Sequence, residues 1–434
     1  MTAEVAVLNS NGIALAADSA VTIGQEEEGK IYTSADKLFQ LSEYAPVGIM
    51  IYGSAAFLGV PWETIIKCYH TKSGAKIFPR LVDYSKDFIS FLKTSVMFPA
   101  KKQKDHVRNI LLGLFIHLRK QFEKAIKGKY ENDPRTKLSK SDVEKMFTAL
   151  IREELEKTKK YRKLEGISPR IASVIGRNYK KDIAEIQQKV FENLPISKIA
   201  QRLIADMVVY LLTSERLQQG VQISGIVVAG FGEKEHFPSL LETVVFGMAA
   251  GHLLRLEPHK ASIINGGQAI VVPLAQREMV YTFMEGVDLD FKETIEKSTK
   301  ELFDRMADII LQEVKGKYAV YGKELRVKVR TALDKLIPNL YSEWNKTRRE
   351  KYSDPVMENV ASLPKDELGA MAEALVNLTK FKRRISRERE TVGGPIDVAV
   401  ITKGDGFVWM KRKHYFDAGL NPRFIARISK GRSL

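Results

Sequence analysis

A threonine stands directly behind the start methionine, in the stretch MTAEVAVLNSNGIALAADSAVT. Methionine removal is expected before so small a residue, and it would leave Thr2 with a free α-amine. An α-amine titrates near about 8, so a useful fraction of it is neutral at physiological pH. It can accept the proton of its own residue's hydroxyl, directly or through water, which places nucleophile and base on one residue. Such a pair asks for a nearby cation and for backbone N–H groups aimed at a developing oxyanion. Lys37 supplies the cation if its KLFQL strand lies beside the first strand. Asp18, ending the second strand, holds the lysine. The turn around Met50, Ile51 and Gly53 offers the N–H donors, with Gly53 allowing close approach. Each residue also has an ordinary reading: Thr2 as a common second residue, Asp18 as a turn cap with Ser19, Lys37 as a solvated strand lysine.

These side chains need strands to position them. Residues 4–8 alternate around valines, Asn9-Ser10-Asn11-Gly12 is turn chemistry, and 13–17 continue extended, which predicts a hairpin. Further strands are expected over 37–41 and 47–52, and a helix with Pro61 in its first turn follows. From 82 to 220 the apolar period becomes helical. Ile110, Leu111, Leu114, Phe115, Leu118, Phe122 and Ile126 form one stripe. Ser141 with Glu144 reads as a capping box, 166–169 break the run, and another helix is expected over 196–217. Strand signals return at 223–231, 239–247 and 249–256. The run AIVVPLA after Gly266-Gly267 stays ambiguous because it carries Pro273. Helices are expected over 291–314 and from about 363, then a final hairpin of 396–402 and 407–410. Blocks of strands alternating with blocks of helices imply antiparallel sheets covered by helices, an α+β chain.

Composition narrows the function. At 434 residues the chain can bury a large core. No stretch is apolar enough to span a bilayer, and the first basic residue is Lys30, so neither an anchor nor a signal peptide is expected and a cytoplasmic location is. One cysteine, Cys68, excludes an internal disulfide and any multi-cysteine metal site. The histidines show no ligand spacing, so neither metal nor cofactor is expected. The net charge of +16 invites a nucleic-acid partner, but no nucleic-acid-binding signature accompanies it. Nine Lys/Arg against two Asp/Glu over 101–130 read as a solvated helix face. Gly266-Gly267-Gln268 reads as a turn, GFGEKE lacks the ending of a phosphate-binding loop, and the tryptophans read as packing.

Taken together, MTAEVAVLNSNGIALAADSAVT, KLFQL and GIMIYGSA resemble the proteasome β-subunit family and its bacterial relatives among the N-terminal-nucleophile hydrolases. The family's N-terminal Thr, its Asp at the end of the next strand and its Lys opening a K-L-F strand match Thr2, Asp18 and Lys37. The closing stretch TVGGPIDVAVITKGDGFVWM is similar too, and its Val392–Asp397 form looks most like the Anbu group of bacterial proteasome-related proteins. The resemblance covers roughly 1–70, 221–285 and 363–415. It implies a four-layer αββα sandwich of two antiparallel sheets with large helical insertions. The core would be split over 1–70, 221–290 and 363–434, with insertions at 71–220 and 291–362. It implies a threonine-type peptidase acting on polypeptide in a ring-shaped or helical homo-oligomer, with an ATP-dependent unfoldase as a candidate partner. A small-molecule amidase of the same fold, or a catalytically silent assembly subunit, are the alternatives. The family's Asp and Ser before the glycine pair, which tune the amine, fall in RERETVGG: on Arg389 or, with a slip, Glu388 or Glu390, and on Val392 beside Thr391. The family's mid-chain serine has Asn265 or Ser262 as its nearest counterpart.

Overall fold

The structure is a computed structural model that describes residues 2–23, 30–133, 135, 137–192, 194–313, 322–386, 392–414, 416–417, 419–423 and 426. Strands β1 (Ala3–Asn9) and β2 (Gly12–Ala17) open the chain, followed by β3 (Val21–Ile23), β4 (Lys30–Tyr32), β5 (Leu38–Gln40) and β6 (Val47–Gly53). The short pair β7 (Ala56–Phe57) and β8 (Val60–Pro61) leads into α1 (Trp62–Ser73), α2 (Leu81–Thr94) and α3 (Ala100–Asn132). Helices α4 (Lys140–Lys159), α5 (Pro169–Val190) and α6 (Lys198–Leu212) follow. Strands return as β9 (Ser224–Gly230), β10 (Ser239–Ala249), β11 (His252–Arg255), β12 (His259–Ser262) and β13 (Ala269–Ala275). Helices α7 (Glu278–Glu285), α8 (Leu289–Glu313), α9 (Gly322–Arg348), α10 (Asp354–Ser362) and α11 (Lys365–Ile385) precede the hairpin β14 (Asp397–Thr402) and β15 (Gly406–Lys411). The chain is thus α+β with antiparallel sheets.

These elements fall into two compact units. The first holds Met1–Leu38, His236–Ser239 and Ser262–Leu434. Its sheet runs β13-β1-β2-β14-β15, antiparallel throughout. Side chains alternate across a strand with period two. On β1 and β2, Ala3, Val5, Val7, Ala14 and Ala16 share one core with Leu368, Ala372, Leu375 and Val376 of α11. The other face of β1 therefore carries Thr2, Glu4, Ala6 and Leu8. The ambiguous AIVVPLA run is β13, at the sheet edge. Pro273 pairs opposite Val5 there, where a missing N–H costs no ladder bond on the outer side.

The second unit holds Phe39–Glu235 and Leu240–Ala261. Its sheet orders β11-β10-β9-β6-β5, with β12 on β10. Ile49, Ile51, Ile226 and Val228 of that sheet pack with Trp62, Ile65 and Phe88 of α1 and α2. Helices α3 to α6 make a second core around Phe115, Phe122, Phe147, Ile183, Ile204 and Val208, and the stripe expected on α3 lines it. The expected capping box at Ser141 and Glu144 forms two residues earlier. Ser139 accepts from the Asp142 N–H at 3.2 Å, and Asp142 accepts from the Ser139 N–H at 3.0 Å. Ser139 satisfies the same orphan donors sooner in the chain, so the helix starts at Lys140. No helix among the described residues is long and apolar enough to cross a membrane.

Candidate active site

The site grows out of the β1–β2 register. Glu4 pairs opposite Ala17, so Asp18 leaves β2 beside the start of β1, its own N–H donating to Ala3 O at 3.1 Å. The Asp18 carboxylate is then held by backbone. Oδ1 accepts from the Ala3 N–H at 3.1 Å, and Oδ2 from Gly393 at 2.9 Å and Ala20 at 3.2 Å. Gly393 belongs to the glycine pair of the TVGGP stretch. Gly394 has φ +76°, and a Cβ there would lie 2.8 Å from both Cβ and O of Thr33, so only glycine fits. Lys380 Nζ donates to Gly394 O at 2.9 Å, and Ser19 Oγ to Pro395 O at 2.6 Å, fixing the same segment.

Lys37 stands just before β5. The expected neighbour relation differs: KLFQL does not pair with β1, whose partners are β2 and β13, because β5 belongs to the sheet of β6. Lys37 still meets the carboxylate assigned to it. Its Nζ donates to Asp18 Oδ1 at 2.5 Å, and the residue is buried at 6 % exposure.

Glu4, which residue type and spacing alone do not single out, completes the cluster. Its Oε2 accepts the Thr2 hydroxyl at 3.1 Å, and its Oε1 lies 3.4 Å from Lys37 Nζ. Thr2, Asp18 and Lys37 are thus brought together through a carboxyl group, as a chain from hydroxyl to Glu4 to ammonium to Asp18. Glu4 is fully buried, and burial pushes its carboxyl up to about 8. The Lys37 charge opposes that rise, Asp18 adds to it, and the Thr2 hydrogen bond resists it. The available signal was an acidic residue inside an otherwise apolar strand, two positions from Thr2 and so on its face.

The other expected site residues are placed as follows. Met50 and Ile51 lie within β6 rather than on a turn, paired to Val227 and Ile226 of the second unit's sheet. The alternation that makes VGIMIY apolar carries the strand through to Gly53. Gly53 ends it at φ +82°, where a Cβ would sit 2.3 Å from Ile223 O. Thr391, Glu388, Glu390 and Arg389 lie outside the described residues. Ser262 ends β12, and Asn265 is an exposed loop residue whose N–H donates to Gln268 Oε1 at 3.2 Å. That bond makes Gly266-Gly267-Gln268 a self-closed turn. Trp62 is buried and donates to Ser224 Oγ at 3.0 Å, whereas Trp344 is 45 % exposed, so packing does not account for it. Among the described residues no group of His, Cys, Asp and Glu is arranged to hold a metal ion.

No protein-family model matches the sequence, and no curated protein matches it.

Proposed function

We propose that the chain is a cytoplasmic threonine-type hydrolase of the N-terminal-nucleophile class, cleaving peptide bonds within a four-layer αββα core. After Met1 is removed, Thr2 Oγ1 attacks the scissile carbonyl and forms an acyl ester that water then hydrolyses. Lys37 supplies the positive charge beside the reacting group, and Asp18 fixes Lys37. One observation carries the reading: the Thr2 hydroxyl is hydrogen-bonded into a buried Glu4–Lys37–Asp18 cluster at the end of an apolar sheet. Burying ionisable groups costs several kcal/mol per charge (about that much even after relaxation), and a structural core gains nothing by it. Clusters of this kind are concentrated at reacting sites. The resemblance of both chain ends to proteasome-like proteins extends the reading to a homo-oligomer.

A second reading has one observation in its favour. Thr2 is 3 % exposed, as suits a catalytically silent assembly subunit. Turnover of a fluorogenic peptide by wild type and Thr2→Ala separates the two. The hydrolase reading expects turnover in wild type and none in the variant, with the same assembly mass for both. Equal turnover in the two chains, or none in wild type with Met1 removed, contradicts it.

A further inference from the structure

We propose that the Glu4 carboxylate, rather than the Thr2 α-amine, takes the proton of the Thr2 hydroxyl. The inference rests on Thr2 being the nucleophile and names the base that serves it. Thr2 Oγ1 already donates to Glu4 Oε2 at 3.1 Å, within the reach required of a general base. Glu4 is fully buried, and its Oε1 faces the Lys37 ammonium at 3.4 Å. Asp18 is saturated by backbone N–H groups and Lys37, so it is not the acceptor.

The charges facing Glu4 favour the same assignment. The end of β2 brings Asp18, the segment before β5 brings Lys37, and β13 brings Leu274 opposite Glu4. Gln276, just past β13, donates its N–H to Thr2 O at 3.2 Å. On α11, Arg383 donates to Gln276 Oε1 at 2.8 Å and to Glu278 at 3.3 Å. Removal of Met1 then adds an α-ammonium three covalent bonds from the hydroxyl. Two cations would face two carboxylates, a neutral buried set. A neutral amine requires that proton to leave either to solvent, which leaves a buried net negative charge, or to Glu4, which removes the carboxylate Thr2 is bonded to. In the ion-paired state Glu4 stays a carboxylate, already hydrogen-bonded to the hydroxyl whose proton it takes.

The step balances as follows. The substrate carbonyl carbon gains a bond to Thr2 Oγ1 as the hydroxyl proton passes to Glu4 Oε2. The C–N bond breaks, and the leaving nitrogen departs with that proton. Water then attacks the ester and gives a proton to Glu4. The ester C–O bond breaks, and Thr2 Oγ1 takes the proton back.

The test is the rate at which a β-lactone acylates the chain, followed by intact mass, in wild type, Glu4→Gln and Glu4→Asp. Ring opening uses the same transfer: Oγ1 loses its proton to Glu4, the ring C–O bond breaks, and the released alkoxide takes the proton. Glu4→Gln keeps the shape and cannot accept a proton, so its rate falls by about 100-fold or more. Glu4→Asp recovers part of it. An amine base predicts the reverse sign: without the carboxylate the amine deprotonates more readily, and Glu4→Gln acylates at the wild-type rate or faster. That outcome overturns the Glu4 assignment and leaves Thr2 as nucleophile. Absence of any adduct in wild type overturns the nucleophile itself, and the assignment with it. Should Glu4→Gln fail to fold, Glu4→Asp decides. There a rate for Glu4→Asp that is reduced but measurable supports Glu4, and a rate at or above wild type overturns it.

Discussion

Lys37 stands between two buried carboxyl groups, and most of what can be tested at the residue scale follows from that placement. Removing one partner of a buried pair leaves an uncompensated charge, which costs about 3–5 kcal/mol. Asp18 would keep its three backbone donors, so Lys37→Met should fall near the low end, about 3 kcal/mol by urea unfolding. Peptide turnover should vanish with it. Glu4 gives a pH signature. Its carboxyl is raised from the ordinary 4.5 to about 8 by burial, so the fold prefers the protonated form. The stability this group contributes is complete below 4.5 and is lost as pH rises through about 8. In chain retaining Met1, melting temperature should therefore decline between those limits, and Glu4→Gln should flatten the decline. An unchanged slope in the variant would assign the dependence to other groups.

At the scale of elements, the site depends on register. β1 places Thr2 and Glu4 on one face, β2 ends at Asp18, and the closing segment returns Gly393 to that carboxylate. Gly394→Ala forces a side chain into the left-handed region and against Thr33. It should cost about 1–3 kcal/mol in unfolding free energy and slow acylation, because Gly393 shifts with it. A variant with wild-type stability would mean the segment yields freely. Strands β1, β2, β6, β9, β10, β14 and β15 were legible as β-branched or alternating runs. The short pairs β3–β4 and β7–β8, and β12, were not, since two to four residues carry too little pattern to register. Pro273 became readable as a strand residue only once β13 was an edge. Thr2, Asp18 and Lys37 were legible by residue type and spacing. Glu4 was hidden because a strand glutamate ordinarily faces water, and only the packed sheet shows that this one does not.

Much of the positive charge lies on helices, and some of their basic residues pair locally. On α3, Arg108 pairs with Asp182 and Glu185, and Arg119 with Glu123. Apolar exposure is more informative about assembly. Leu302, Met306 and Ile309 recur at helical spacing along α8 and are 56 %, 43 % and 59 % exposed. The homo-oligomer proposed above gives this stripe a covering surface. Mass photometry should find an assembly in wild type and smaller species when the three residues are changed to lysine. An unaltered mass distribution would remove α8 from the interface. The most direct measurement is tryptic mapping of the chain after exposure to a β-lactone. The first basic residue is Lys30, so the N-terminal peptide ending there carries Thr2. A single adduct on that peptide, lost in Thr2→Ala, is the predicted result. No adduct in wild type, or the same adduct in Thr2→Ala, would contradict Thr2 as the nucleophile.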